Sequence, residues 1–159
     1  MAAVTLAERL IGAARASRAR LATAESCTGG MIAAAITDIP GASDVFECGF
    51  VTYSNAAKQR MLDVRAETLA AHGAVSQEVA REMAEGALAR SDATLAVAVT
   101  GIAGPGGSEH KPEGRVCFAL ARPTAPTRTE TVEFGPLGRA GVRRATVEHA
   151  LQMLLAALA

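Results

Sequence analysis

Leu95-Ala96-Val97-Ala98-Val99, followed at once by Thr100-Gly101-Ile102-Ala103-Gly104-Pro105-Gly106-Gly107, decides the fold class. The first five residues are an unbroken apolar run of strand length, the pattern of a strand covered on both faces. The next eight hold too much glycine and proline to be helical. A second passage has the same form. Leu21-Ala22-Thr23-Ala24 reads as a short buried strand. It runs into the turn Glu25-Ser26-Cys27-Thr28-Gly29-Gly30 and then into the helical Met31-Ile32-Ala33-Ala34-Ala35-Ile36. Cys48-Gly49-Phe50-Val51-Thr52-Tyr53 is a third strand, β-branched and aromatic. Ser54 or Asn55 can cap the helix after it, which carries Lys58 and ends near Leu62. Helical stripes fill the remaining spaces: Leu6, Leu10 and Ile11 within residues 3–18, and Val79, Met83 and Ala87 within residues 76–90, where Ser76 is the cap. Residues 115–121 and 127–134 read as two more strands turned around Pro123 and Pro126. Their connection is too short for a parallel crossover, so they form an antiparallel hairpin. A periodic helix with Val147, Ala150, Leu151, Leu154, Leu155 and Leu158 closes the chain. Alternating helices and strands predict an α/β sandwich with a mostly parallel sheet, helices on both faces and an antiparallel C-terminal hairpin.

The 159 residues suit one domain over residues 1–159, and no linker, repeat or low-complexity segment interrupts them. The core must come mainly from Ala, Val, Leu and Ile, because the chain has no Trp, one Tyr and four Phe. Sixteen basic side chains balance sixteen acidic ones. Neither half of the chain departs from neutrality by more than one charge, which argues against nucleic acid or an acidic membrane as partner. No apolar run reaches the ~20 residues of a membrane helix. Glu8 stands where a secretory apolar segment would have to be. A cytoplasmic protein is expected. Cys27, Cys48 and Cys117 are far apart and odd in number, and His72, His110 and His149 are equally scattered, so neither a disulfide framework nor a metal site is expected.

In parallel sheets, ligands gather at the carboxyl ends of the strands. Here those ends are residues 25–30, 53–55 and 100–107, which are therefore predicted to meet at one edge. Ser26 lies on a strand-to-helix turn, beside helix N-terminal amides expected to lack partners. Such amides can stabilise an oxyanion or hold a phosphate. The turn is not G-x-S-x-G, and no His or Asp completes a standard triad. Cys27 is the stronger intrinsic nucleophile but has no activator nearby in sequence, so both residues stay candidates. The same six residues also read simply as a helix cap and turn. A serine nucleophile needs a base. Without a suitable His, that base would be Lys58, one of two lysines in the chain, with its pKa lowered by burial. Arginine cannot give up its proton in this way. Tyr53, the only tyrosine, could relay a proton or hydrogen-bond a substrate. The glycines of the 100–107 loop can turn amides inward as an anion nest, although the loop is no Walker motif. Arg115, Arg139, Arg143 and Arg144 are further candidates for a phosphate or carboxylate.

Five segments in this order carry a resemblance: Thr23-Ala24-Glu25-Ser26-Cys27-Thr28-Gly29-Gly30, Val51-Thr52-Tyr53-Ser54-Asn55 with Lys58, His72-Gly73-Ala74-Val75-Ser76, the stretch from Ala96 to Gly107, and Lys111-Pro112 with Gly114. Together they resemble the CinA C-terminal-domain family, whose enzymes are nicotinamide-nucleotide amidohydrolases. The resemblance implies a three-layer α/β/α sandwich. It implies hydrolysis of the carboxamide of nicotinamide mononucleotide to nicotinate mononucleotide and ammonia, in pyridine nucleotide recycling. It assigns Ser26 as nucleophile with Lys58 and Tyr53 as its partners. Substrate would be held by Cys27, Thr28, Gly29, Gly30, Asn55, Thr100, Gly101, Gly104, Gly106, Gly107 and Arg139, with the oxyanion on amides of the 26–30 turn. Neither cofactor nor metal is implied. The partner is a small-molecule nucleotide, and a homo-oligomer, with a dimer favoured, is expected. The family tends to carry an acid directly before the arginine that opens the last helix, where this chain has Leu137-Gly138-Arg139. A non-catalytic nucleotide-sensing or partner-binding domain is the alternative. A DNA-associated role, suggested by the family's name, sits badly with zero net charge.

Overall fold

The computed structural model describes residues 3–159. In chain order the elements are α1 (Leu6–Ala16), β1 (Leu21–Glu25), α2 (Met31–Thr37), a 3-10 turn (Ala42–Asp44), β2 (Phe46–Val51), α3 (Asn55–Leu62), α4 (Ala66–His72), α5 (Gln77–Ala89), β3 (Leu95–Gly101), β4 (Arg115–Arg122), β5 (Ala125–Glu133) and α6 (Gly138–Ala157). The sheet order is β2-β1-β3-β4-β5. β1 pairs in parallel with β2 and with β3, whereas β4 is antiparallel to both β3 and β5. Four strands therefore point one way and β4 alone runs against them, which matches the mostly parallel expectation. β4 and β5 form the expected hairpin. Arg122 pairs with Ala125, so the turn is Pro123-Thr124 alone, and Pro126 falls inside β5. β5 tolerates that proline because it is an edge strand.

The strand pattern explains the layers. On β3, Leu95, Val97 and Val99 face one side and Ala96 and Ala98 the other, and β4 repeats this with Val116, Phe118 and Leu120 against Cys117, Ala119 and Ala121. The bulky face packs against Leu10 and Ile11 of α1, Ile32 and Ile36 of α2 and Val142, Leu151 and Leu154 of α6. The alanine face receives Val79, Ala80, Met83, Ala84 and Ala87 of α5, with Leu62 of α3 beside them. Small side chains on both partners let α5 lie close to the sheet, which is how a chain nearly free of aromatics fills a dense core. Among the described residues no helix is long and apolar enough to cross a membrane.

Two elements differ from expectation. α4 has no signature in the sequence, because its seven residues are too few for a periodic stripe. The strand expected over residues 48–53 is β2 at Phe46–Val51. Thr52 N–H still donates to Glu25 O at 2.9 Å, but the chain then leaves the sheet so that Ser54 can cap α3. The carboxyl ends of β1, β2 and β3, the start of β4 and the start of α6 thus share one edge.

Candidate active site

Ser26 follows β1 directly. Its N–H donates to Val99 O at 3.1 Å, fixing the turn over the neighbouring strand. Lys58 arrives from α3. The Ser54 hydroxyl accepts from Ala57 N–H at 3.0 Å and starts that helix, and Lys58 N–H closes onto Ser54 O one turn later. The side chain then points inward. At 1% exposure Lys58 heads the largest fully buried side chains. Its Nζ lies 2.9 Å from Ser26 Oγ, 3.0 Å from Thr52 O and 3.0 Å from Tyr53 O. Among the described residues no carboxylate forms a salt bridge with it. Burial without a counter-ion lowers its pKa to about 8. Nζ donates to all three oxygens as an ammonium can, and on losing a proton it can keep both carbonyls while its lone pair accepts from the Ser26 hydroxyl. The three strand ends also border one cavity of about 530 Å³, with Ser26 and Lys58 in its wall.

The sequence of residues 3–158 matches the family model of the CinA C-terminal domain. The chain belongs to the CinA C-terminal domain family. This CinA domain is 53% identical over 152 residues to the nicotinamide-nucleotide amidohydrolase PncC of Escherichia coli K12, covering 94% of this chain and 90% of that one. It spans about a third of the length of curated relatives such as the CinA-like protein of Chlorobium phaeobacteroides, to which it is 54% identical over 142 residues. Among solved structures, the competence/damage inducible protein CihA of Agrobacterium tumefaciens superposes with a TM-score of 0.92 at 48% identity, covering 98% of each chain.

Of the residues expected at the site, the CinA domain places Ser26, Cys27, Tyr53, Asn55, Lys58, Thr100, Gly101, Gly104, Gly106, Gly107 and Arg139 around the cavity. Thr28, Gly29 and Gly30 are not in its wall. Thr28 is buried, with its hydroxyl bonded to the Glu25 carboxylate. Gly30, at φ +106°, lets the chain enter α2 through a left-handed residue. The α2 amides are not open either. Fully buried Glu25 folds its carboxylate onto them, accepting from Ile32 N–H at 2.9 Å and Ala33 N–H at 3.0 Å. An acidic side chain at a helix N-terminus satisfies amides and dipole together. The end of α2 expected to bind an oxyanion or phosphate already holds an anion of the protein's own. Within the turn, Gly29 N–H and Met31 N–H close onto Ser26 O and Thr28 O at 3.1 Å each. Cys27, Thr28 and Gly30 N–H make no bond to another backbone group, and of these three residues only Cys27 lines the cavity.

Cys27 lines the cavity, but burial pushes its thiol up to about 12, and the Glu25 charge adds to the effect. At neutral pH it is a thiol, not a thiolate. The Tyr53 hydroxyl does not reach Ser26 or Lys58. It accepts from Arg139 Nη2 at 2.8 Å, while Arg139 Nη1 donates to Gly104 O at 2.7 Å. Proton relay through this hydroxyl is therefore not the arrangement seen. Tyr53 contributes its carbonyl to Lys58 and its ring end to Arg139. The other arginines are committed elsewhere. Arg143 donates to Cys27 O and Thr28 O at 3.2 Å each and braces the turn from below, Arg115 pairs with Glu133, and Arg144 lies by a groove between α1, α2 and α6. Thr100 spends its hydroxyl on Ala74 O at 2.8 Å, tying β3 to the segment before α5. Ser54 lines the cavity as its place in the 53–55 segment implies, whereas sequence reasoning missed Ala74, Val75, Ser108 and Glu109 there, as well as Glu113 and Lys111, which bond to Gly106 N–H and Val75 O. The five-segment pattern included Lys111 and the residues at 74–75, but not a role for them.

Proposed function

We propose that this chain hydrolyses the carboxamide of nicotinamide mononucleotide to nicotinate mononucleotide and ammonia. The observation that carries the reading is a fully buried lysine, unpaired with any carboxylate, 2.9 Å from the hydroxyl of a serine in a cavity wall. Identity to PncC over nearly the whole chain supplies the substrate. Neutral Lys58 takes the Ser26 proton as Oγ attacks the carboxamide carbon. The carbonyl oxygen becomes an oxyanion, held by free amides of the 26–30 turn, with Cys27 N–H the one from a cavity-lining residue. Collapse expels the amine, which leaves as ammonia with the proton from Lys58. A water then gives its proton to Lys58 and attacks the acyl ester. Ser26 leaves with that proton, and the product acid gives its own proton to solvent and departs as the carboxylate. No metal is needed at any step. Arg139, with open amides of the 100–107 loop, takes the phosphate, and Tyr53 holds Arg139 in place.

An enzyme that positions the amide through a distant phosphate should lose kcat/KM steeply when the phosphate is removed. Each charge-assisted contact contributes ~1.5–3 kcal/mol, and each 1.36 kcal/mol is tenfold. Ammonia release from nicotinamide riboside and from free nicotinamide should therefore be at least ~10³-fold less efficient than from the mononucleotide, with inorganic phosphate a weak competitor. Equal kcat/KM for all three would show that the phosphate is not recognised. A protein that binds the mononucleotide but releases no ammonia would be the non-catalytic module instead.

A further inference from the structure

Glu113 lies outside the cavity, half-buried behind the 100–107 loop. Its Oε1 accepts from Gly106 N–H at 2.7 Å and its Oε2 from Gly138 N–H at 2.9 Å. One carboxylate thus joins the glycine loop to the first residue of α6. The loop passes directly over it. A Cβ at Gly104, which has φ +87°, would stand 2.5 Å from the Glu113 carboxyl carbon. The residue after Gly138 is Arg139, the one arginine in the cavity wall among the described residues. Its guanidinium grips Gly104 O on the same loop and the Tyr53 hydroxyl beyond β2. Two bridges therefore close this wall side by side. Arg139 spans it on the cavity side, and Glu113 spans it behind.

We propose that Glu113 is a positioning residue that sets the affinity for the anionic end of the substrate without touching it. The proposal rests on the amidohydrolase reading above. Arg139 is exposed, and its own grip on the loop is a single bond to one carbonyl. Glu113 fixes both ends of that bond, because it holds the loop two residues after Gly104 and the helix one residue before Arg139. A carboxylate accepting two N–H bonds is a strong fastening, since charge assistance roughly doubles each bond. The Glu113 bridge is separate from the supports of Ser26 and Lys58, which come from β1, β3 and α3. Disturbing it should move substrate affinity and spare the chemical step.

The test uses Glu113→Gln and Glu113→Ala. Glutamine offers one acceptor and one donor, and the donor would face an N–H, so only one bond can remain. Alanine removes both. Ammonia release should show KM for the mononucleotide raised about tenfold in Glu113→Gln and further in Glu113→Ala, with kcat within about threefold. The kcat/KM for nicotinamide riboside, which lacks the anion, should stay within about twofold. Mononucleotide binding to Ser26→Ala protein, with and without Glu113→Gln, should weaken by the same factor as KM. Amide hydrogen exchange over residues 103–107 should speed up in both variants. An unchanged KM, or equal losses on mononucleotide and riboside, would overturn the proposal. Wild-type protein that released no ammonia would defeat the amidohydrolase reading instead. In that case, unchanged exchange in the loop would still overturn the strut.

Discussion

Ser26→Ala should lower ammonia release from nicotinamide mononucleotide by several orders of magnitude while leaving mononucleotide binding intact. Cys27→Ala should keep at least a tenth of wild-type activity. The two residues are neighbours, and both line the cavity, so exposure does not separate them. Their partners do. Ser26 Oγ has Lys58 Nζ at 2.9 Å, whereas the Cys27 thiol is held protonated by burial, with a pKa of about 12. A thiol in that state is a small apolar side chain rather than a nucleophile. In the proposed mechanism its backbone N–H matters more than its sulfur, because that amide is unbonded and belongs to a cavity-lining residue. One such donor is worth ~3–4 kcal/mol, or ~10²–10³ in rate, and Cys27→Ala keeps it. An inactive Cys27→Ala with an active Ser26→Ala would assign the attack to sulfur.

Lys58→Arg should cost about 10²–10⁴ in kcat, the usual contribution of a general base, with mononucleotide affinity little changed. Arginine keeps the charge but cannot give up the proton. Because arginine is bulkier than the lysine it replaces in a filled site, Lys58→Met serves as a second variant. It matches the chain length without the amine and should be equally inactive. Circular dichroism on both checks the fold. An active Lys58→Arg would mean that the lysine is only an electrostatic anchor. The pH dependence follows from the same group. The free base is the active form and its pKa is about 8, so kcat/KM should rise with pH through about 8 and then level off. For stability, an unfolded lysine stays protonated to about 10.4. Between about 8 and that value the unfolded state binds more protons, so Lys58 makes stability rise with pH across the window and disfavours the folded state below it.

The gathering of the three loaded segments at one sheet edge was legible because it needs only strand direction. Apolar runs ending in glycine-rich turns mark parallel strands, and parallel strands put their ends together. What happens at the helix ends was not legible. Nothing in the order Glu25-Ser26-Cys27 says that the carboxylate folds onto amides seven and eight residues further on and fills the site a ligand was expected to take. Arg139 and Arg143 are four residues apart on one helix. Periodicity puts them on one face but does not say that the first meets the cavity and the second the underside of the turn. The acid expected beside Arg139 is absent from positions 137–138. A carboxylate does reach that helix start, but from Glu113, 25 residues earlier, through a loop whose path only the fold determines. Nearness to Lys58 in sequence left Tyr53 able to relay a proton or hydrogen-bond a substrate, and the fold turns its carbonyl to the lysine and its hydroxyl to Arg139.

Attack by the Ser26 hydroxyl requires a covalent acyl-enzyme on that residue. The most direct measurement is mass spectrometry of enzyme mixed with nicotinamide mononucleotide and quenched in acid during turnover, followed by peptide mapping. An adduct equal to the mononucleotide less ammonia is expected on the peptide carrying Ser26 and on that hydroxyl, absent from Ser26→Ala and present in Cys27→Ala. The same adduct on Cys27, or full turnover by Ser26→Ala, would contradict it.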